Sequence, residues 1–282
     1  MKWTRGDRSN IEDARGRSGA QMGGIGLGGL LVILLLSWVT GVDFLSLVGP
    51  GTGPPAESAR AAPPPATSPE EERLVDFVDA VMADAQDVWR QQLGGRYLDT
   101  VTVLFRDGIQ SACGLGQSAT GPFYCPADGR VYLDLGFFDE LHTRFGAPGD
   151  FAQAYVLAHE IGHHVQSVLG IESEVRRLQS ARPDQRNPLS VRLELQADCF
   201  AGVWGHHAAQ PGRAARGRVE LEPGDVEEGL NAAAAIGDDR IQRMSRGRVA
   251  PDSFTHGSSE QRVTWFTRGF ESGDPRACET FQ

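Results

Sequence analysis

The chain has 282 residues, 40% of them apolar and 23% charged, enough for one domain of about 200 residues with attachments. Its formal net charge is −10, and residues 70–282 hold 21 of the 27 basic and 32 of the 37 acidic side chains. A surface of that sign repels phosphate backbones, which excludes nucleic acid as a partner.

The first 17 residues carry Lys2, Arg5, Arg8, Arg15 and Arg17 against three acids, and Ser18 to Val42 then runs for 25 residues without a charge. As a helix rising about 1.5 Å per residue, that stretch exceeds a hydrocarbon core of about 30 Å. Residues 18–48 are therefore expected to form a single transmembrane anchor region, with the lipid bilayer as a partner. The basic residues at 1–17 stay on the cytoplasmic side, which makes this a single-pass membrane protein with everything after the anchor extracytoplasmic, periplasmic or at the cell surface. A cleaved signal peptide is the rival reading, weakened by the length of the stretch and the lack of a convincing cleavage site after Trp38. Residues 49–69, with seven prolines and three glycines, read as a disordered linker.

The folded domain is expected over residues 70–282. Ser68-Pro-Glu-Glu71 forms a capping box with proline at the first helical position, and Leu74, Phe77, Val78, Val81, Ala85, Val88 and Trp89 repeat at helical spacing. Strands are expected at 100–106 and 130–135, either side of a glycine-rich excursion that contains Cys113 and Cys125. Helices follow at 151–169, 189–209, 225–236 and 259–270. A few strands ahead of several helices predict an α+β domain.

The helix expected at 151–169 contains AYVLAHEIGHHV, Ala154 to Val165, with the pattern His-Glu-x-x-His at His159, Glu160 and His163. Side chains four apart share a helix face, so His159 and His163 can offer two imidazole nitrogens to one Zn²⁺, while Glu160 points at whatever else the metal binds. His164 falls on another face and reads as a packing residue. No charge occurs from Phe151 to Ala158, and Ile161, Gly162 and Val165 keep the surroundings apolar. A dry wall of this kind suits a catalytic metal better than two satisfied core histidines.

A catalytic zinc usually takes three protein ligands. VRLELQADCFAGVW, Val191 to Trp204, supplies Glu194 and Asp198 four apart on a second helix among apolar residues. One carboxylate can ligate, and the other can accept the remaining ring N–H of a zinc histidine. The four cysteines allow three pairings, and none has the spacing of a zinc ribbon. In an oxidising compartment they read as disulfides: Cys113 with Cys125 would close the short excursion, and Cys199 with Cys278 would tie the end of the chain to the Glu194 helix. Cys199 as a zinc ligand is the competing idea, but it adjoins Asp198 and should point elsewhere.

HEIGHHVQ and ELQADCFAG, with GPFYCPADGRVYLDLGFF before them and FTHGSSEQR after, make the sequence resemble the bacterial neutral zinc metallopeptidase family. More distantly, the arrangement is similar to the gluzincins, whose third ligand is a glutamate. The resemblance implies His159, His163 and Glu194 as ligands of one Zn²⁺, Glu160 as general base, and Asp198 as the carboxylate behind a ligand. It also implies a mainly helical, gluzincin-like domain with a small β-sheet, and a protein or peptide substrate. The resulting expectation is a membrane-anchored extracytoplasmic zinc endopeptidase. The alternative is a zinc-stabilised, non-catalytic binding or scaffold domain at the cell envelope.

Three further stretches carry two readings each. Val131-Tyr-Leu-Asp134 is either a core strand or, by resemblance to gluzincins, the edge along which a peptide lies extended. Gly237-Asp-Asp239 is a helix end with solvated acids, or a calcium or substrate site. Ser258-Ser-Glu-Gln261 is a capping box, which places His256 in the loop before a helix. There it either donates to an oxyanion, as the resemblance to gluzincins implies, or caps a helix or packs on Trp265, and Arg262 either orients a substrate carbonyl or pairs with a nearby acid.

Overall fold

The computed structural model of the chain describes residues 1–16, 67–118 and 121–281. Helix α1 (Pro69–Leu93) starts where Ser68 Oγ accepts the Glu71 N–H at 3.0 Å, with Pro69 at a position whose missing N–H costs nothing. Its stripe of Val78, Val81, Met82, Ala85 and Trp89 is fully buried. Beyond it lies a four-stranded sheet in the order β1 (Ile11–Asp13), β2 (Thr102–Phe105), β6 (Arg130–Asp134), β5 (Phe123–Cys125). The first three strands are parallel, with Ile11 opposite Thr102 and Thr102 opposite Val131; β5 runs antiparallel to β6, with Phe123 opposite Tyr132. A separate antiparallel hairpin, β3 (Gly108–Ser111) and β4 (Gly114–Gln117), is bound to β5 by the Cys113–Cys125 disulfide.

Seven more helices complete the described fold: α2 (Gly136–Thr143), α3 (Asp150–Val168), α4 (Ile171–Ala181), α5 (Arg186–Ala208), α6 (Asp225–Ala235), α7 (Asp238–Arg246) and α8 (Ser259–Ser272). Helix α3 is central and packs on α1, α5 and α6. Two glycines set how closely the helices approach. A Cβ at Gly162 of α3 would lie 2.9 Å from the Ala197 carbonyl oxygen of α5, and one at Gly269 of α8 would lie 1.9 Å from that of Cys199. Both contacts are backbone against bare Cα, so any side chain would force the helices apart. Phe151, Tyr155, Trp204 and Phe266 fill the space between α3, α5 and α8, with Phe151 stacked on Trp204 at 5.7 Å.

The domain is mainly helical with a small sheet, and the single N-terminal transmembrane helix expected at 18–48 is not supported. That segment, like most of the 49–69 linker, lies outside the described residues. Among the described residues no helix is long and apolar enough to cross a membrane. Residues 1–14 also belong to the same compact unit as the segment from Thr67 onward. Strand β1 pairs with β2, Lys2 pairs with Glu220, Trp3 packs edge-on against Phe77, and Arg8 bonds Glu72 and Asp76 on α1 at 2.6 and 2.7 Å.

Candidate metal centre

His159 and His163 project from α3 with the fourfold spacing that aligns them on one face, and Glu194 meets them from α5. The Gly162–Ala197 approach brings the two helices close enough for this. His159 Nε2 lies 3.1 Å from His163 Nε2 and 3.2 Å from one oxygen of Glu194, and His163 Nε2 lies 3.6 Å from the other. Tetrahedral bonds of about 2.0–2.1 Å place ligand atoms roughly 3.3–3.4 Å apart, so the triangle has the dimensions of one face of a zinc site. Both Nδ1 atoms are engaged elsewhere, His159 by Asp198 at 2.8 Å and His163 by Gln166 at 2.9 Å. The two Nε2 lone pairs therefore converge on one point beside a carboxylate, which a divalent cation relieves. The donor set fits zinc.

Burial shapes the charges here. It pushes the His159 ring toward neutrality, but Asp198 and Glu194 outweigh it and raise the pKa to about 9 in the metal-free site. Burial likewise favours a neutral Asp198, yet Arg262 and His159 hold its pKa at about 2. Arg262 is itself buried and donates from Nε and Nη2 to the two Asp198 oxygens at 2.8 Å each. The Tyr155 hydroxyl donates to Asp198 and accepts from Arg262. Arg262 thus pairs with an acid behind the site. Tyr155, one turn before His159 on its face, was not singled out from sequence, although that spacing marks it.

The site opens into a cleft of about 500 Å³. Glu160 lines it between the two histidines, and no hydrogen bond or ion pair from a described residue holds its carboxylate. Gly121 to Tyr124 and Pro126 form one wall, so the strand edge at the cleft belongs to β5. Val131 to Asp134 lie in β6, between β2 and β5, as a core strand. His164 is buried away from the triangle, with Nε2 2.6 Å from the Leu98 carbonyl and Nδ1 3.2 Å from the Tyr124 hydroxyl.

His256 also lines the cleft, from the loop before α8, whose capping box closes at Ser258 and Gln261. Its position is set by Asp238, which sequence reasoning left between a helix end and a calcium site. Asp238 begins α7, and its Oδ2 accepts the backbone N–H groups of Thr255, His256 and Gly257 at 2.7, 2.6 and 3.1 Å. Asp239 does the same for Ser259 at 2.7 Å. Asp238 also faces His256 Nδ1 at 3.4 Å, and this contact raises the pKa of the ring.

Cys199 points away from the triangle and is disulfide-bonded to Cys278; Cys113 is bonded to Cys125. No solved structure gives a significant match to the chain. It is 50% identical to the Escherichia coli (strain K12) protein named uncharacterized protein YpfJ, over an alignment of 295 residues that covers 100% of this chain and 99% of that protein. It is 46% identical over 198 residues to uncharacterized protein Rv2575 of Mycobacterium tuberculosis, covering 69% of this chain and 66% of that one. The family model described as "Putative neutral zinc metallopeptidase" matches residues 1–281, and with the histidines and glutamate drawn together as above, the chain belongs to that family.

Proposed function

We propose that the protein is a zinc-dependent endopeptidase with His159, His163 and Glu194 as ligands of one zinc ion. The observation that carries this reading is the ligand triangle opening on a cleft beside the unpartnered Glu160. A zinc ion held by His159, His163 and Glu194 would supply Lewis-acid chemistry, polarising a carbonyl and lowering the pKa of a water toward about 7. Glu160 takes the proton of the attacking water and returns it to the leaving amide nitrogen. His256 donates a hydrogen bond to the developing oxyanion, with Asp238 holding the loop and the ring. Asp198, clamped by Arg262 and Tyr155, orients His159.

Among the described residues no strand pairs with the other side of β5, which supports an extended peptide as substrate. Its outward N–H and C=O groups can pair with a substrate main chain, while Phe123, Tyr124, Phe137, Val156 and Ile241 offer apolar contacts in the cleft. The two disulfides support a location where thiols oxidise, outside the reducing cytoplasm. The test is hydrolysis of an unstructured protein by the purified chain, with and without chelation and zinc restoration. A zinc-loaded chain that cleaves no peptide would overturn the reading.

A further inference from the structure

His163 and His164 are neighbours on α3, yet their partners hold them in opposite tautomers. His164 Nε2 faces the Leu98 carbonyl, which only accepts, so that nitrogen carries the hydrogen and Nδ1 accepts from Tyr124. Gln166, three residues beyond His163, turns that ring the other way. Its amide nitrogen donates to the Leu193 carbonyl at 2.6 Å and to Gln196 Oε1 at 3.1 Å, which leaves its Oε1 facing His163 Nδ1 at 2.9 Å. An amide oxygen only accepts, so Nδ1 carries the hydrogen and Nε2 keeps a lone pair aimed at the Glu194 triangle.

The far end of this chain of amides is fixed by the same logic. Gln196 Nε2 donates to the Cys278 carbonyl at 2.9 Å, so its Oε1 must face Gln166. Two backbone carbonyls, those of Leu193 and Cys278, thus dictate the polarity of both side chains. Gln166 is 0% and Gln196 4% exposed, which leaves no bulk water to substitute for a lost partner. Cys278 is joined to Cys199 of α5, adjacent to the Asp198 that supports the other histidine. The two metal-facing rings are therefore supported differently, His159 by a carboxylate and His163 by a neutral amide relay.

We propose that Gln166 is a positioning residue that, held by Gln196 and the Cys278 carbonyl, locks His163 in the Nδ1–H tautomer and so keeps Nε2 free for zinc. This rests on the zinc reading above in assigning His163 as a ligand. The opposite tautomer would set the Nδ1 lone pair against the Gln166 oxygen in a buried site, with neither group satisfied. Nothing else among the described residues was found to hold His163 Nδ1.

The test compares the full-length protein with its Gln166→Met and Gln196→Met variants, which keep side-chain length and remove the amide. Two readouts apply: long-range ¹H–¹⁵N spectra of the histidine rings in zinc-free protein, at a pH where the rings are neutral, and zinc affinity by competition with a chromophoric chelator. The wild type should show the Nδ1–H signature at His163. Gln166→Met should lose that signature and bind zinc about 10- to 100-fold more weakly while still unfolding cooperatively. Gln196→Met should shift both readouts the same way by less. An Nε2–H tautomer in the wild type, or unchanged affinity and tautomer in Gln166→Met, would overturn the proposal. If Gln166→Met does not fold, the wild-type tautomer and Gln196→Met decide. Should His163→Ala bind zinc as tightly as wild type, the ligand assignment has failed instead, and the zinc-free spectra still judge the tautomer lock.

Discussion

Arg262 clasps both carboxylate oxygens of Asp198 at 2.8 Å, with both side chains sealed from solvent. The pair ties α8 to α5 directly behind His159. Removing one partner leaves an uncompensated buried charge, so Arg262→Met should destabilise the fold by about 3–5 kcal/mol in denaturant unfolding. The Asp198 pKa falls from its ordinary 3.8 to about 2, so its contribution to stability is present above pH 3.8 and is lost as the pH falls toward 2. A loss below about 1 kcal/mol in Arg262→Met, the range of a surface pair, would show the clamp to be dispensable.

Glu160→Gln keeps the size of the side chain but cannot accept a proton. Peptide hydrolysis should fall by at least about 100-fold while zinc content, measured by elemental analysis, stays at the wild-type level. Undiminished turnover would remove Glu160 from the mechanism.

Glu194 and Asp198 stand four apart on α5 and face the site differently, so their substitutions should separate. Glu194→Ala removes one corner of the triangle and should abolish tight zinc binding. Asp198→Asn leaves the corners in place and should weaken binding about 10- to 100-fold. Chelator competition reads both, and equal losses would contradict the division of roles.

His256→Ala should lower kcat by up to about 100-fold, equivalent to roughly 3 kcal/mol, with zinc stoichiometry intact. The Asp238 carboxylate raises the His256 pKa, so the ring stays protonated to a higher pH than an ordinary histidine. If the protonated ring is the donor, activity declines as the pH rises through that pKa. Asp238→Asn removes the charge and should move this alkaline limb to lower pH, by a modest amount because the His256 side chain is 52% exposed. A limb that stays in place would detach Asp238 from the chemistry.

The Cys199–Cys278 bond joins residues 79 apart in sequence. Closing so long a loop restricts the unfolded chain, and its reduction should lower stability by about 2–5 kcal/mol. In protein taken from its native compartment, none of the four cysteines should react with an alkylating agent before reduction. Four reactive thiols would place the domain in a reducing compartment.

Sequence alone determined what depends on neighbours within a few residues. The fourfold spacing of His159 and His163 put them on one helix face, and Ser68 and Ser258 marked helix starts that the structure places at Pro69 and Ser259, because periodicity and capping are local. Helices read at 151–169 and 189–209 run from Asp150 to Val168 and from Arg186 to Ala208 for the same reason. Tertiary structure alone decided which distant groups meet. Whether Arg262 turned to a substrate or to an acid depended on α8 lying against α5 at Gly269, and whether Asp238 bound an ion or a loop depended on where residues 255–257 returned. The uncharged run after Arg17 reported length and polarity, but β1, only Ile11 to Asp13, carries too few residues for a strand pattern to be read. Its parallel pairing with residues 102–104 is a long-range contact that composition and charge cannot encode, so it is visible only once the chain is folded.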